Sequence, residues 1–306
     1  MKLSTIQLGK LMDQAHSLAE EGKYLHAIQL YNRLVNSGQP FRIPYLKLAA
    51  LYAESGQLSA AVEILQRADN LFPHDTFIIE RLGNYHLRME EYDNAIGRYK
   101  KLAQMKLPQV HFSMGAAYYY KNNFKQAEEQ FRLTLKYDPN FPKINETLGE
   151  LLLQRQQYTE AIDYLKKGIS KNPENAVNHH LLGTAYGKID DWKKAHKEFA
   201  LAAELDPEQS AHWQMCGASL IQLKRFSEAE PYLHKALELF PQSIETLIGL
   251  SQVLSAKGEI ELAMECLNKA LGVDPKNVLV KTMQWKLRST NRQESKNTTI
   301  YSENIK

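Results

Sequence analysis

The chain is 306 residues long, with 43% hydrophobic and 24% charged residues, proportions ordinary for a folded protein and unlike those of a disordered one. Its 38 Lys and Arg against 35 Asp and Glu leave +3, spread almost evenly except for a basic excess after residue 276, which argues against the concentrated basic face of a nucleic-acid binder. No apolar run approaches the roughly 18 residues that span a bilayer, the N-terminus lacks the core of a signal peptide, and Cys216 and Cys266 form no disulfide framework, so a reducing, cytoplasmic setting is expected.

Residues 1–7 read as a lead-in, after which one spacing governs the chain. Ala27, Ala61, Ala95, Ala127, Ala161, Ala195, Ala229 and Ala263 follow one another at 34 residues, with a single interval of 32. Twelve residues before each stands a small residue: Ala15, Ala49, Gly83, Gly115, Gly149, Gly183, Gly217 and Ser251. Four residues after each stands a large apolar one: Tyr31, Leu65, Tyr99, Phe131, Leu165, Phe199, Leu233 and Leu267. Three residues before each comes another large apolar side chain, among them Tyr92, Phe124 and Phe226.

Each period reads as two antiparallel helices. A glycine inside a helix costs about 1 kcal/mol relative to alanine, so its use at the small position predicts a close helix–helix approach. The turn between the two helices carries Gly22, Gly56 or Gly258 in three repeats and Glu90, Asn122, Gln156, Asp190 or Lys224 in the others. Proline recurs at Pro73, Pro139, Pro173, Pro207, Pro241 and Pro275. It suits the first turn of a helix, where its missing N–H has no intrahelical partner, and so is expected to open the next unit. The repeats run 8–41, 42–75, 76–107, 108–141, 142–175, 176–209, 210–243 and 244–277, the third shortened by two residues around Met105–Val110. A capping helix is expected over 278–290, with Val280, Met283 and Leu287 on its inner face and Trp285 opposite, and a polar, disordered tail over 291–306.

This pattern resembles the tetratricopeptide repeat, a 34-residue helix–turn–helix unit. Leu182, Gly183, Tyr186, Ala195, Phe199 and Pro207 match its signature in one repeat, and Trp213 supplies the leading tryptophan in the next. The resemblance implies an all-α fold, a right-handed superhelical solenoid of tandem helix pairs closed by the capping helix. It also implies that first helices line a concave groove and that ligand contacts come from variable positions on them. In repeats 2–4 those positions give Ile43, Leu46, Phe77, Asn84, Leu87, Arg88, Phe112, Tyr119 and Tyr120, a set of aromatic anchors of the kind that dominates interface energetics. Ala50, Ala53 and Ala116 leave room between them. Only Asn84 and Arg88 stand where the chaperone co-factor subfamily has its carboxylate clamp, so a full clamp is not expected. The asparagine ladder of O-linked N-acetylglucosamine transferases is missing, since Asp13, Lys47, Arg81 and Ser113 begin that row.

No phosphate loop, dinucleotide fingerprint, nucleophile elbow or zinc-protease motif occurs. His179 and His180 are adjacent, so on a helix they diverge by about 100° and do not chelate one ion together. His111 and His179 share with Trp213 the repeat position that carries a packing aromatic, and both cysteines read as core fillers. The expectation is a non-enzymatic scaffold or adaptor that needs no cofactor or metal and binds another protein, not nucleic acid or membrane, in its groove. The alternatives are a regulatory, non-catalytic subunit of an enzyme such as a glycosyltransferase and, with less support, an RNA-binding helical repeat.

Overall fold

A computed structural model describes residues 5–37 and 39–289; the tail expected over 291–306 lies outside the described residues. The chain falls into two compact units, Met1–Ile144 and Asn145–Lys306. In the first, helix pairs follow in order: α1 (Thr5–Glu20) with α2 (Tyr24–Val35), α3 (Arg42–Glu54) with α4 (Leu58–Leu71), α5 (Thr76–Arg88) with α6 (Tyr92–Lys100), and α7 (Pro108–Tyr120) with α8 (Phe124–Tyr137). The second contains α9 (Ile144–Gln154) with α10 (Tyr158–Lys171), α11 (Ala176–Lys188) with α12 (Trp192–Leu205), α13 (Ser210–Gln222) with α14 (Phe226–Leu239), and α15 (Ile244–Ala256) with α16 (Ile260–Val273). A final helix, α17, covers 278–289. No strand occurs among the described residues. Helix α1 begins at Thr5, inside the stretch read from sequence as a lead-in.

The repeat positions explain why the helices pair. All eight period alanines are fully buried. A β-carbon added at Gly83 would lie 2.5 Å from the Tyr99 ring, and one at Gly115 would lie 2.6 Å from Phe131. Gly183 meets Phe199 in the same way at 2.8 Å. The large side chain four residues after the alanine therefore fills the space over the small residue of the preceding helix, which is why glycine is used there despite its conformational cost.

The turns are equally regular. Gly22, Gly56 and Gly258 are left-handed, and so are Glu90, Asn122, Gln156, Asp190 and Lys224, with φ between 58° and 82° throughout. The left-handed residue ends the first helix and lets the chain turn back after only a few residues.

The prolines sit elsewhere than the sequence reading placed them. Pro108 opens α7 and Pro44 lies in the first turn of α3, but the recurring prolines do not start helices. Pro73, Pro139, Pro173, Pro207, Pro241 and Pro275 lie in the turns that follow second helices. In those turns the N–H two residues beyond the proline donates to the carbonyl just before it, as Asp75 does to Phe72 at 3.2 Å and Asn277 to Asp274 at 3.1 Å. Proline with φ fixed near −65° suits the second position of such a four-residue turn. Where the residue closing the turn is Asp, Asn or Ser it also caps the next helix: Asp75 accepts from the Phe77 and Ile78 N–H groups, both at 3.1 Å, and Asn175 accepts from Val177 at 3.0 Å.

The two-residue deletion acts at the end of a second helix. Helix α6 has 9 residues where α4 and α8 have 14 each. A 3-10 turn over Ala103–Met105 replaces its last turn, and Lys106, left-handed at φ 55°, redirects the chain into α7.

At the C-terminal end, Val280 of α17 is fully buried, Met283 and Leu287 pack half-buried beside it, and the Gln284 amide donates to Asn268 at 2.7 Å. Trp285 is 69% exposed, on the side opposite that stripe.

Candidate functional site: the first helices of repeats 2–4

The nine residues singled out from the sequence all lie in the first compact unit, on α3, α5 and α7, and seven of them fall into two patches. Phe77 and Leu87 stand ten residues apart on α5, about 15 Å along the helix axis at 1.5 Å per residue. One patch is at the N-terminal ends of these helices, the other at their C-terminal ends.

At the N-terminal ends, Ile43 is 50% exposed and Phe77 59%, while Leu46 is half-buried. Arg42 joins their repeats. Its guanidinium donates to the Asp75 carboxylate at 2.9 Å and lies 5.3 Å from the centre of the Phe77 ring, a separation typical of cation–π attraction. Asp75 is thus both the cap of α5 and the anchor for Arg42, so one carboxylate orients the helix start and the cation covering its aromatic residue.

At the C-terminal ends, Tyr120 is 60% exposed and stacks on Tyr92 of α6 with ring centres 5.8 Å apart and planes 17° from parallel. Tyr119 stands edge-on to Tyr120 at 5.9 Å and leans on Phe124 at 5.6 Å. Burial pushes the Tyr92 phenol above its ordinary pKa, with the Glu90 carboxylate adding to the effect. Leu87 is half-buried nearby in sequence. Arg88 donates to the Ala53 carbonyl at 3.3 Å and lies 5.9 Å from the Tyr85 ring, so its charge is held across two repeats.

Two of the nine serve the packing. Phe112 is half-buried against Phe131 at 5.6 Å and Phe141 at 5.0 Å. The carboxamide oxygen of Asn84 accepts from the buried Tyr99 hydroxyl at 2.7 Å. Tyr92, Phe124 and Arg42 belong to the patches without having been singled out. The first two had been assigned only to the repeat frame, since their position is apolar in every repeat, and Arg42 reaches its partners through the fold.

The histidines and cysteines have structural positions. His111 contacts the Gln130 carboxamide oxygen through Nδ1 at 2.8 Å, and His179 contacts Glu198 at 2.7 Å and the Pro173 carbonyl at 3.1 Å. Trp213 donates to the Pro207 carbonyl at 2.8 Å and Tyr45 to that of Val35 at 3.1 Å. At the shared repeat position, Tyr45, His179 and Trp213 thus tie α3, α11 and α13 to the backbone that precedes them, whereas His111 bonds the following helix. Cys216 is fully buried, and burial pushes its thiol up to about 12. Among the described residues no group of three or more His, Cys, Asp or Glu side chains is placed to hold a metal ion, and no helix is long and apolar enough to cross a membrane.

Helix pairs closed by a large side chain over a small one, joined by left-handed turns and repeated at one spacing, define a tetratricopeptide repeat protein. The chain belongs to the family described as the Cilia and flagella-associated protein 70 C-terminal domain, whose model matches residues 86–302. It is 25% identical over 240 residues to Tetratricopeptide repeat protein 21B of Xenopus laevis, covering 74% of this chain and 18% of that protein. It is also 25% identical over 264 residues to the Anaphase-promoting complex subunit CDC16 of Saccharomyces cerevisiae, covering 82% of this chain and 30% of that one. The chain thus spans less than a third of either relative. Among solved structures, a tetratricopeptide repeat protein from Parabacteroides merdae superposes with a TM-score of 0.58 at 16% identity, covering 80% of this chain and 98% of the other, a likeness of fold.

Proposed function

We propose that this chain is a non-enzymatic interaction scaffold that holds a segment of a partner protein on the first helices of repeats 2–4. The observation carrying the proposal is the exposure of Ile43, Phe77 and Tyr120, at 50%, 59% and 60%, on three successive first helices. Large apolar side chains left in water on neighbouring first helices suit a peptide or helix that brings matching anchors, and aromatic residues contribute disproportionately to such interfaces. The arginines beside each patch are already oriented, Arg42 by Asp75 and Arg88 by Ala53, which lowers the ordering cost of binding. The yeast relative is by name a subunit of a complex, in keeping with work inside an assembly; on that reading the partner is a neighbouring subunit, and this chain supplies no catalytic group.

The test is affinity capture from source-cell lysate, comparing the wild type with an Ile43→Glu/Phe77→Glu/Tyr120→Glu variant whose helicity and thermal midpoint match it. A protein retained by the wild type and reduced at least tenfold by the variant is the expected result. Equal recovery by both would remove these helices from recognition.

A further inference from the structure

A separate cavity lies in the second compact unit, where the end of α13, the start of α14, the last turns of α15 and the outer part of α17 converge. Its volume is about 510 Å³, within the range that takes a drug-sized ligand or a few side chains. Ile221 of α13, Phe226 of α14, and Met283 and Leu287 of α17 supply apolar walls from three helices. Repeats 1–6 contribute nothing to it, so it is independent of the patches described above.

Three observations define what it would take. Ser251 lines the cavity, is 1% exposed, and its hydroxyl has no hydrogen-bond partner in the protein. A buried hydroxyl left unmatched is costly, and an incoming acceptor or donor would relieve that cost. Gln222 and Gln252 also line the cavity, and their side-chain amides offer both donors and acceptors, the complement of a peptide backbone. Lys224 and Lys286 stand at its edge, whereas none of the residues lining it is Asp or Glu. Lys224 is the left-handed turn residue after α13, with φ 59°, so its position at the rim is fixed by the backbone.

We propose that this cavity is a second recognition site, for a partner segment that presents one or two apolar side chains flanked by carboxylates. The apolar groups fill the space between Phe226 and Met283. The amides and Ser251 engage the segment's backbone, and the carboxylates meet the two lysines. Like-charged segments are rejected because nothing acidic lines the site to receive a cation.

The experiment is a selection of phage-displayed random dodecapeptides on the full chain, followed by anisotropy of the fluorescein-labelled winners. Three variants are compared with the wild type. Ala256→Trp fills the mouth from an exposed position, Lys224→Glu/Lys286→Glu reverses the rim charge, and Phe77→Glu/Tyr120→Glu disables the other unit's patches. The proposal expects winners rich in Leu, Ile or Phe next to Asp or Glu. Their affinity falls at least tenfold on the first two variants and is unchanged on the third. Winners without acidic residues, winners bound equally by Ala256→Trp, or an empty selection would overturn it. Loss on the third variant alone would overturn it too, while leaving the reading of repeats 2–4 intact. If the site instead receives a second copy of the chain, Ala256→Trp lowers the sedimentation coefficient and the selection stays empty, which equally contradicts the proposal.

Discussion

At the scale of single residues, two rules of helix chemistry are reversed by packing and by turn geometry. In an isolated helix, glycine to alanine is a gain of about 1 kcal/mol. At Gly183 a β-carbon would stand 2.8 Å from the Phe199 ring, and overpacking of this kind typically costs about 1–3 kcal/mol. Gly183→Ala is therefore expected to be destabilising in urea unfolding; a stabilised variant would show that the ring has room to move. The left-handed turns give the opposite case. Asp190 and Lys224 both hold φ 59°, a conformation that burdens an L side chain by roughly 1–2 kcal/mol. Replacing Gln156 (φ 60°) or Lys224 by glycine is expected to raise the thermal midpoint, and Gly56→Ala to lower it.

These residues were legible in the sequence because a repeated chain shows the same environment eight times. The small residue, the large residue over it and the turn residue all recur at fixed distances, so their roles could be inferred before any contact was seen. The proline was legible as punctuation and misplaced by one turn. Spacing alone does not separate the start of a helix from the turn that precedes it, and the turn is distinguished only by hydrogen bonds such as Asp75 to Phe72. The candidate site was legible as a set of positions but not as two patches. Cross-repeat contacts such as Tyr92 on Tyr120 and Arg42 on Phe77 depend on side-chain directions that no periodicity specifies. Phe112 is the instructive case: its position faces the groove in the repeat frame, yet Phe131 and Phe141 claim its ring. Phe112→Ala should accordingly lower stability by about 2 kcal/mol, and its effect on binding is interpretable only beside that loss.

At the scale of elements, the junction of α11 and α13 carries the clearest pH dependence. His180 and His212 bring their Nδ1 atoms within 3.0 Å. Burial, and then the neighbouring His212, push His180 down from the ordinary 6.5 to about 4. His212 is lowered mainly by burial, against an opposing pull from Asp206. In the unfolded chain both take up a proton near their ordinary value, while the folded chain resists until the pH is far lower. The unfolded state thus binds more protons in between, and stability rises with pH there. The free energy of unfolding should decline as pH is lowered from about 6.5 toward 4 and be level above that range with respect to these groups. A His180→Leu/His212→Leu variant should show a shallower decline. An unchanged slope would assign the acid sensitivity to other groups, among them His196, which burial also lowers.

At the scale of the whole molecule, the account is that repetition builds the framework and departures from repetition make the recognition surface. The period alanine, the small residue and the large residue over it are buried in every repeat, whereas Ile43, Phe77 and Tyr120 are large, apolar and exposed on three neighbouring first helices. The most direct measurement is site-specific photocrosslinking in source cells, with p-benzoylphenylalanine in place of Phe77 or Tyr120 and, as a control, in place of Glu129, exposed on a second helix. The account predicts one protein adduct common to positions 77 and 120 and missing from 129. Adducts of equal yield at all three positions, or an adduct at 129 alone, would contradict it.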